Sequence, residues 1–444
     1  MALITKSIKG TQDILPSESH KVRFVEQTAL EIAGNSGFRE IRVPVFEHTE
    51  LFQRGVGDTT DVVQKEMYTF LDKGERSITL RPEGTAGVVR AYLERGLSNE
   101  PMPQKLCYLV SCYRYEKPQA GRLREFHQFG LECLGTSSPA SDAEVIGVAN
   151  EIFDFLGVRG LKLEINSIGC PECRKEYHKA LHDYFEARKD ELCHTCQERL
   201  DRNPMRILDC KSPVCSEIAS GAPKVLDFLC DDCKTHFEAV QEYLKAMGIK
   251  FSVNPTIVRG LDYYTRTVFE FVSTEIGAQG TVCGGGRYDG LVEEIGGSHT
   301  PALGFGMGIE RLMLLMEKQK LPFPEREKCD LYIATMGEKA NLEAAKIATE
   351  LRHEGFEVQF DVVGRSVKAQ MKFANKLGAT FTVVIGDSEL ESGSVKLKSM
   401  ETGEETEVEL SDFQSTFMRE VLSESLKDLD MGADIEAIMN GNIL

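Results

Sequence analysis

Arg259, Tyr263 and Tyr264 stand together in the stretch RGLDYYTRTVFEF at 259–271, and CGGGRYDGL at 283–291 follows closely. Arginine supplies a planar cation that stays protonated, and tyrosine supplies a flat apolar body ending in a hydroxyl. A run such as Gly284–Gly286 packs no side chains and costs backbone entropy. Such a run is expected where the chain turns sharply or lets a ligand touch main chain. Together these residues read as a pocket for a small, polar, planar, anionic molecule.

A second set has strand spacing. Arg114 and Glu116 lie two apart near the end of CYLVSCYRYE (107–116), and Phe126, Gln128 and Glu132 alternate along EFHQFGLECLG (125–135). Period-two spacing aims all five at one surface, which is either a binding surface or an exposed, ion-paired sheet face. The usual nucleotide loops are absent. No GxxxxGK[ST] occurs, and Gly304, Gly306 and Gly308 lack the third position of a dinucleotide fingerprint. ATP, if bound, must therefore lie on an antiparallel sheet between arginines, with Arg114 and Arg311 as candidates.

Eight of the thirteen cysteines fall in one segment: Cys170 and Cys173, Cys193 and Cys196, Cys210 and Cys215, Cys230 and Cys233. Three of these pairs have CxxC spacing, and Cys210 and Cys215 form a looser fourth. Thirteen cysteines are too sparse for a disulfide scaffold in so long a chain. Three readings stay open: two structural zinc sites of four cysteines each, buried reduced thiols, and redox pairs.

The elements that must position these groups follow from periodicity. Val22, Val25, Ala29, Ile32 and Ala33 predict an amphipathic helix over 17–36, followed by a strand at 39–47 whose Pro44 marks an edge or bulge. The segments 107–116 and 125–135 predict a hairpin. Strand signals vanish between about 168 and 235, where helical spacing persists in a module with few apolar residues for a core. They resume at 267–272, and 304–319 reads as a glycine-rich strand turning into a helix. After LPFPERE (321–327), three strand-like stretches alternate with helical stretches at 338–354 and 366–377, which implies a small α/β domain with a largely parallel sheet. The expected division is a core at 1–167 and 236–322, a cysteine-rich helical insertion at 168–235, an α/β domain at 328–430 and an acidic tail at 431–444.

At 444 residues, about three domains are expected from a prior of one per ~150 residues. No apolar run approaches membrane-spanning length, and MALITKSIKG lacks the apolar centre of a signal peptide, so a cytoplasmic protein with no membrane partner is expected. The net charge of −18 argues at first against nucleic acid, but residues 401–444 alone carry −10. A local basic face thus remains open at Arg365, Lys368, Lys372 and Lys376, whose near four-residue spacing would line one side of a helix; a solvated surface is the alternative.

Several of these stretches resemble one family. The helix and proline-bearing strand, RYE with its loop and return strand, and GFGMGIERL (304–312) are similar to the three motifs of class II aminoacyl-tRNA synthetases. RGLDYYTRTVFEF and GGGRYDGL resemble the two signatures of the histidyl-tRNA synthetase family, and the likeness runs from about Lys9 to Glu317 and into an anticodon-binding-like domain. The resemblance implies an α+β catalytic domain on an antiparallel sheet, carrying a helical insertion and a C-terminal α/β domain. It implies a homodimer formed through 17–47, substrates L-histidine, ATP with Mg2+, and tRNA(His), and histidyl-adenylate as the intermediate.

The resemblance also implies roles. Arg114 would hold the α-phosphate, Glu116 would accept from the adenine amino group, Phe126 would stack on the ring and Arg311 would meet the γ-phosphate. Arg259 would sit between α-phosphate and substrate carboxylate, making Arg259 and Arg114 the catalytic cations. Glu83, Thr85 and Gln128 would meet the α-amino group. Glu132 and Tyr264 would take opposite ends of the imidazole, and Tyr263 and Tyr288 would wall the pocket, or else simply pack in the core. Gln119 and Arg122, with Lys117 and Arg124 in the same loop, would approach the tRNA acceptor end, and Lys368 and Lys372 would track phosphates or anticodon bases. A regulatory paralogue that binds histidine-like effectors, or a sister synthetase for proline, threonine or glycine, are the competing readings.

Overall fold

The computed structural model describes residues 4–57, 60, 62–210, 212–276, 280–326 and 328–428. They fall into two compact units, Met1–Pro324 and Glu325–Leu444. The acidic tail expected at 431–444 lies outside the described residues. Among the described residues no helix is long and apolar enough to cross a membrane.

The first unit is built on an eight-stranded sheet. Its order is Arg39–Glu40, Gln104–Tyr113, Glu125–Leu134, Ala302–Gly308, Thr281–Arg287, Thr265–Val272, Lys162–Ser167 and Ser252–Val253. Only the two outermost pairings are parallel; every pairing between them is antiparallel. The hairpin expected at 107–116 and 125–135 forms, with Val110 opposite Gln128 and Leu106 opposite Glu132. Its alternation divides the side chains between two cores. Phe129, Leu131 and Cys133 pack beneath the sheet against the helices Ser19–Asn35, Pro139–Phe155, Asp231–Ala246 and Ile309–Lys318. Leu106, Tyr108, Val110 and Cys112 point the other way, toward the helix Thr85–Glu94. Each large side chain buried in this way, Phe129 or Leu312 for example, contributes roughly 1.5–3 kcal/mol.

Three expectations change. The single strand expected at 39–47 is split: Arg39–Glu40 pairs with the main sheet, and Phe46–His48 joins Ser77–Leu80 and Thr69–Leu71 in a separate three-stranded sheet. Pro44 offers no amide to a ladder, and the carbonyls of Val43 and Pro44 instead accept from Arg81 Nη1 at 2.7 and 3.0 Å. Secondly, Gly284–Gly286 is not a turn but the middle of the strand Thr281–Arg287. Close approach explains it: a Cβ at Gly285 would lie 2.1 Å from the Gly304 carbonyl oxygen, and one at Gly286 would lie 2.5 Å from that of Thr267. Thirdly, the insertion is not poor in core residues. Its helices Pro171–Glu186 and His194–Arg202 bury Tyr177, Leu181, Phe185 and Leu200, which continue the apolar cluster above the sheet.

The second unit has a five-stranded sheet in the order Val358–Phe360, Leu331–Thr335, Phe381–Ile385, Ser394–Ser399, Glu405–Glu409. The first three are parallel, as the alternation with helices Glu338–His353 and Val367–Leu377 implies. The last two form an antiparallel hairpin that was not expected, because its acidic residues disguise it. Its apolar residues Val395, Leu397 and Val408 face the core, and Glu405, Glu407 and Glu409 alternate with Val408 outward. Lys368 and Lys372 lie exposed on Val367–Leu377 as their spacing predicts, while Arg365 precedes the helix and pairs with Asp361 at 3.0 Å.

Gly285→Ala tests the close-approach argument. The added methyl meets backbone, which cannot swing aside, so a loss of about 1–3 kcal/mol is expected, read as a lower urea midpoint with unchanged slope. A midpoint equal to wild type would mean that the strands are not packed this tightly.

Candidate active site

A cavity of about 940 Å³ opens over the middle strands of the first unit. Its lining includes Glu83, Thr85, Arg114, Glu116, Arg122, Phe126, Gln128, Arg259, Tyr263, Tyr264 and Arg311. Residues spread over more than two hundred positions of sequence therefore meet at one place. Arg114 and Glu116 lie just past the strand Gln104–Tyr113 and Phe126 and Gln128 lie on the return strand, so the hairpin delivers four of its five candidate side chains to the cavity.

The arginines are held by fixed acceptors. Arg114 Nε donates to the Pro82 carbonyl at 2.8 Å, and its guanidinium sits over the Phe126 ring at 5.3 Å. Arg311 donates through Nε to the Gly121 carbonyl at 3.2 Å and through Nη1 to that of Thr281 at 2.5 Å. Burial depresses the Arg311 pKa, and the positive charges of Arg122 and Arg114 push it further down, only partly offset by Glu116. Cations that repel one another inside a cavity are a standing attraction for a polyanion such as a phosphate chain.

Arg259 is half-buried in the cavity wall, and its Nη1 pairs with Glu270, whose other oxygen accepts from Thr281 Oγ1 at 2.8 Å. Its Nε is buried without a hydrogen-bond partner among the described residues. Burial alone would lower the Arg259 pKa; the Glu270 and Tyr264 neighbours more than reverse this, so the guanidinium stays charged. Gly284 makes the room, because a Cβ there would lie 2.6 Å from Arg259 Nη1. Glu270 was not singled out from the sequence. The available signal was an acid in the middle of the otherwise uncharged stretch TVFEFV, which needs a cation nearby to make sense.

Beside the arginines lies a carboxylate and hydroxyl cluster. Glu83 caps the helix Thr85–Glu94: its two oxygens accept from the amides of Thr85 and Ala86, both at 2.8 Å. Gln128 Oε1 accepts from the Gly84 amide at 3.3 Å. Glu132 is wholly buried and accepts from Thr85 Oγ1 at 2.7 Å, from Tyr108 at 3.0 Å and from the Tyr288 hydroxyl. Gly304 and Gly306 are small for the sake of these two side chains. A Cβ at Gly304 would meet Glu132 Oε2 at 1.9 Å, and one at Gly306 would meet Gln128 Nε2 at 2.2 Å.

Not every candidate reaches the cavity. Glu132 and Tyr288 lie beneath its surface, so Tyr288 packs in the core and holds Glu132 rather than walling the pocket. Tyr263 and Tyr264 do line it, with ring centroids 4.7 Å apart. In the hairpin loop, Lys117 and Gln119 are exposed, whereas Arg122 turns inward to pair with Glu116, and Arg124 covers the Tyr115 ring at 3.9 Å. Lys368 and Lys372 belong to the second unit. The eight insertion cysteines gather into two groups of four, Cys170, Cys173, Cys230 and Cys233, and Cys193, Cys196, Cys210 and Cys215. The spacing had left this partition undecided.

Burial pushes Glu132 from the ordinary 4.5 up to about 8, against the pull of its three hydroxyl donors. A carboxyl that prefers its proton in the folded state contributes stability below the unfolded pKa and loses it as pH rises toward the folded one. Wild type should therefore lose ground to Glu132→Gln steadily between about pH 4.5 and 8, as read from paired urea titrations. A difference between the two proteins that stays constant across this range would refute the buried, proton-holding carboxyl.

The comparisons with known proteins agree with this geometry. Residues 10–312 match the family model described as histidyl-tRNA synthetase, and residues 330–420 match that of an anticodon-binding domain. The chain is 57% identical over 408 residues to a histidine–tRNA ligase of Acetivibrio thermocellus, covering 92% of this chain and 98% of that relative. It is 56% identical to the corresponding ligase of Caldanaerobacter subterraneus subsp. tengcongensis, covering 91% of this chain and 97% of the relative. Among solved structures it superposes on the apo histidyl-tRNA synthetase of S. aureus with a TM-score of 0.79 at 42% identity, covering 93% of this chain and all of that one. With the antiparallel floor, the converging arginines and these matches in agreement, the chain belongs to the histidyl-tRNA synthetase family.

Proposed function

We propose that the cavity carries out the histidine–tRNA ligase reaction in two steps, with the residues assigned as follows. In the first step a carboxylate oxygen of L-histidine attacks the α-phosphorus of ATP, forming histidyl-adenylate and expelling pyrophosphate. In the second, a hydroxyl of the 3′-terminal ribose of tRNA(His) attacks the activated carbonyl and AMP leaves. The observation that carries this reading is the convergence of Arg114, Arg259 and Arg311 on one cavity.

Arg259 and Arg114 are the fixed cations at the reacting centre, where negative charge concentrates as carboxylate and phosphate approach. Arg311 holds the far end of the triphosphate, Phe126 stacks on adenine beneath Arg114, and Glu116, kept in place by Arg122, accepts from the adenine amino group. Glu83, Thr85 and Gln128 meet the histidine ammonium. Tyr264 contacts the imidazole from the cavity wall, and Glu132, beneath that wall with Tyr288 and Tyr108, acts on the other end through Thr85, which lines the cavity and donates to it. Once the adenylate exists, positioning does much of the second step, because a mixed anhydride needs no strong base to acylate a hydroxyl.

Mg2+ would arrive with ATP. The ion would neutralise phosphate charge; of the carboxylates lining the cavity, Glu270 is held by Arg259 and Thr281 and Glu310 by His127. Lys117 and Gln119, exposed on the hairpin loop, are placed to meet the acceptor end, with Arg122 behind them as an ordering residue; Lys368 and Lys372 serve the anticodon-binding domain. The domain division at 168 and 235, a homodimer built through 17–47 and a cytoplasmic location complete the reading. Zn2+ is the ion that suits the insertion cysteines.

Amino-acid-dependent pyrophosphate exchange tests the assignment. Exchange is expected with histidine and not with proline, threonine or glycine; exchange with proline alone, or none at all, would overturn the substrate or the activity. Arg259→Lys should lower histidine-dependent exchange on the order of a hundredfold with little change in melting temperature, since an ammonium cannot reproduce the planar fork. Parallel loss of stability and activity would count against a catalytic role for Arg259.

A further inference from the structure

The two tetracysteine groups flank the segment that carries Arg259, Tyr263 and Tyr264. In each group the sulfurs lie within 4.8 Å of one another. The separations include 3.5 Å for Cys170 and Cys173, 4.0 Å for Cys170 and Cys230, and 3.8 Å for Cys193 and Cys210. Four thiolates about 2.3 Å from one Zn2+ stand roughly 3.8 Å apart along the edges of a tetrahedron. A disulfide needs about 2.05 Å, so these are not oxidised pairs. Backbone amides also point at the sulfurs: Cys230 N at Cys173 Sγ (3.1 Å), Cys193 N at Cys215 Sγ (3.2 Å) and Ser212 N at Cys210 Sγ (3.5 Å). Such donors offset the negative charge that four thiolates accumulate around a metal.

Each group is joined to the histidine-facing segment by short polar contacts. Gly169, the residue before Cys170, accepts through its carbonyl from Thr265 Oγ1 at 3.1 Å and from the Arg266 amide at 2.9 Å. Arg174, one residue beyond Cys173, donates to the Tyr264 carbonyl at 3.2 Å. From the other group, Arg206 lies four residues before Cys210 and donates to the Gly260 carbonyl at 2.7 Å and to Asp262 at 2.9 Å. Asn203 reaches the same Asp262 oxygen at 3.3 Å, and Cys193 and Cys210 themselves line the cavity.

We propose that the insertion binds two Zn2+ ions, one in each tetracysteine group, and that through Arg174 and Arg206 they hold the 259–266 segment in the shape that receives histidine. The residues involved are positioning residues; none touches the reacting atoms. The segment has little regular structure before Thr265, so its shape must come from neighbours. A module locked by two metal ions is a stiffer support than one held by a few buried side chains alone. The positioning half rests on the histidine-activating reading of the cavity; the metal half does not.

The test uses the full chain, expressed with zinc in the medium and purified under reductant without chelator. Inductively coupled plasma mass spectrometry is expected to find two zinc ions per chain, and one in each of Cys210→Ser and Cys230→Ser. Zinc well below one per chain in wild type, with the thiols reduced, would overturn the metal half. Because cysteine variants can fail to fold, Arg206→Ala carries the positioning half with all eight cysteines intact. It should retain two zinc ions and a near wild-type melting temperature, yet raise the KM for histidine in pyrophosphate exchange about tenfold, with the KM for ATP changed less than about twofold. An unchanged histidine KM in Arg206→Ala would overturn the positioning half. Wild type that loads two zinc ions but shows no histidine-dependent exchange would refute the functional reading and the positioning half, and would leave the two metal sites standing.

Discussion

Three arginines held charged in one protein cavity are the constraint around which the first unit is organised. Removing a guanidinium from water is costly unless hydrogen bonds and opposite charge replace the lost hydration. Arg259 receives Glu270, Arg114 receives the Pro82 carbonyl, and Arg311 receives the carbonyls of Gly121 and Thr281. Those acceptors come from strands, from the hairpin loop and from the segment before the helix Thr85–Glu94. An antiparallel sheet can bring such distant segments side by side, and its ladder hydrogen bonds keep the acceptors in place.

The same crowding explains the glycines. Gly284, Gly304 and Gly306 lie on adjacent strands, with Gly284 opposite Gly306 in the register. Each occupies a point where a larger residue would displace a functional side chain: Arg259, Glu132 and Gln128 respectively. GxGxG here therefore provides space for side chains crossing a sheet, which is physically unlike a phosphate loop. Behind it, Glu132 depends on Tyr108, Tyr288 and Thr85, so this carboxyl beneath the cavity is positioned by hydroxyls from three different elements. In the tetracysteine proposal, the insertion steadies the remaining wall of this cavity.

Some of this could be read directly from residue order. Period-two alternation in 107–116 and 125–135 predicted the hairpin, because strand parity is a local property of the chain, while Arg114 and Glu116 lie past the end of the strand and Glu132 stays beneath the cavity. The helices at 17–36, 338–354 and 366–377 follow from apolar spacing in the same way. The hairpin at Ser394–Ser399 and Glu405–Glu409 was hidden, since three inward valines and leucines among many glutamates resemble an acidic tail until a core is present to receive them. The split at Pro44 was half legible: proline announced an interruption, but its resolution depends on Arg81, nearly forty residues away.

Residue types, their parity along strands and the family signatures were thus settled by the sequence alone, because each depends on groups within a few positions of one another. Partnership was decided by tertiary structure: that Glu270 faces Arg259, that Tyr288 serves Glu132 from beneath the cavity, and that Cys170 and Cys173 join Cys230 and Cys233 rather than the nearer Cys193 and Cys196. Ion pairing and metal ligation act over a few ångströms of space. Only the fold, by closing the long loops between these residues, determines which charges and thiols come within that reach.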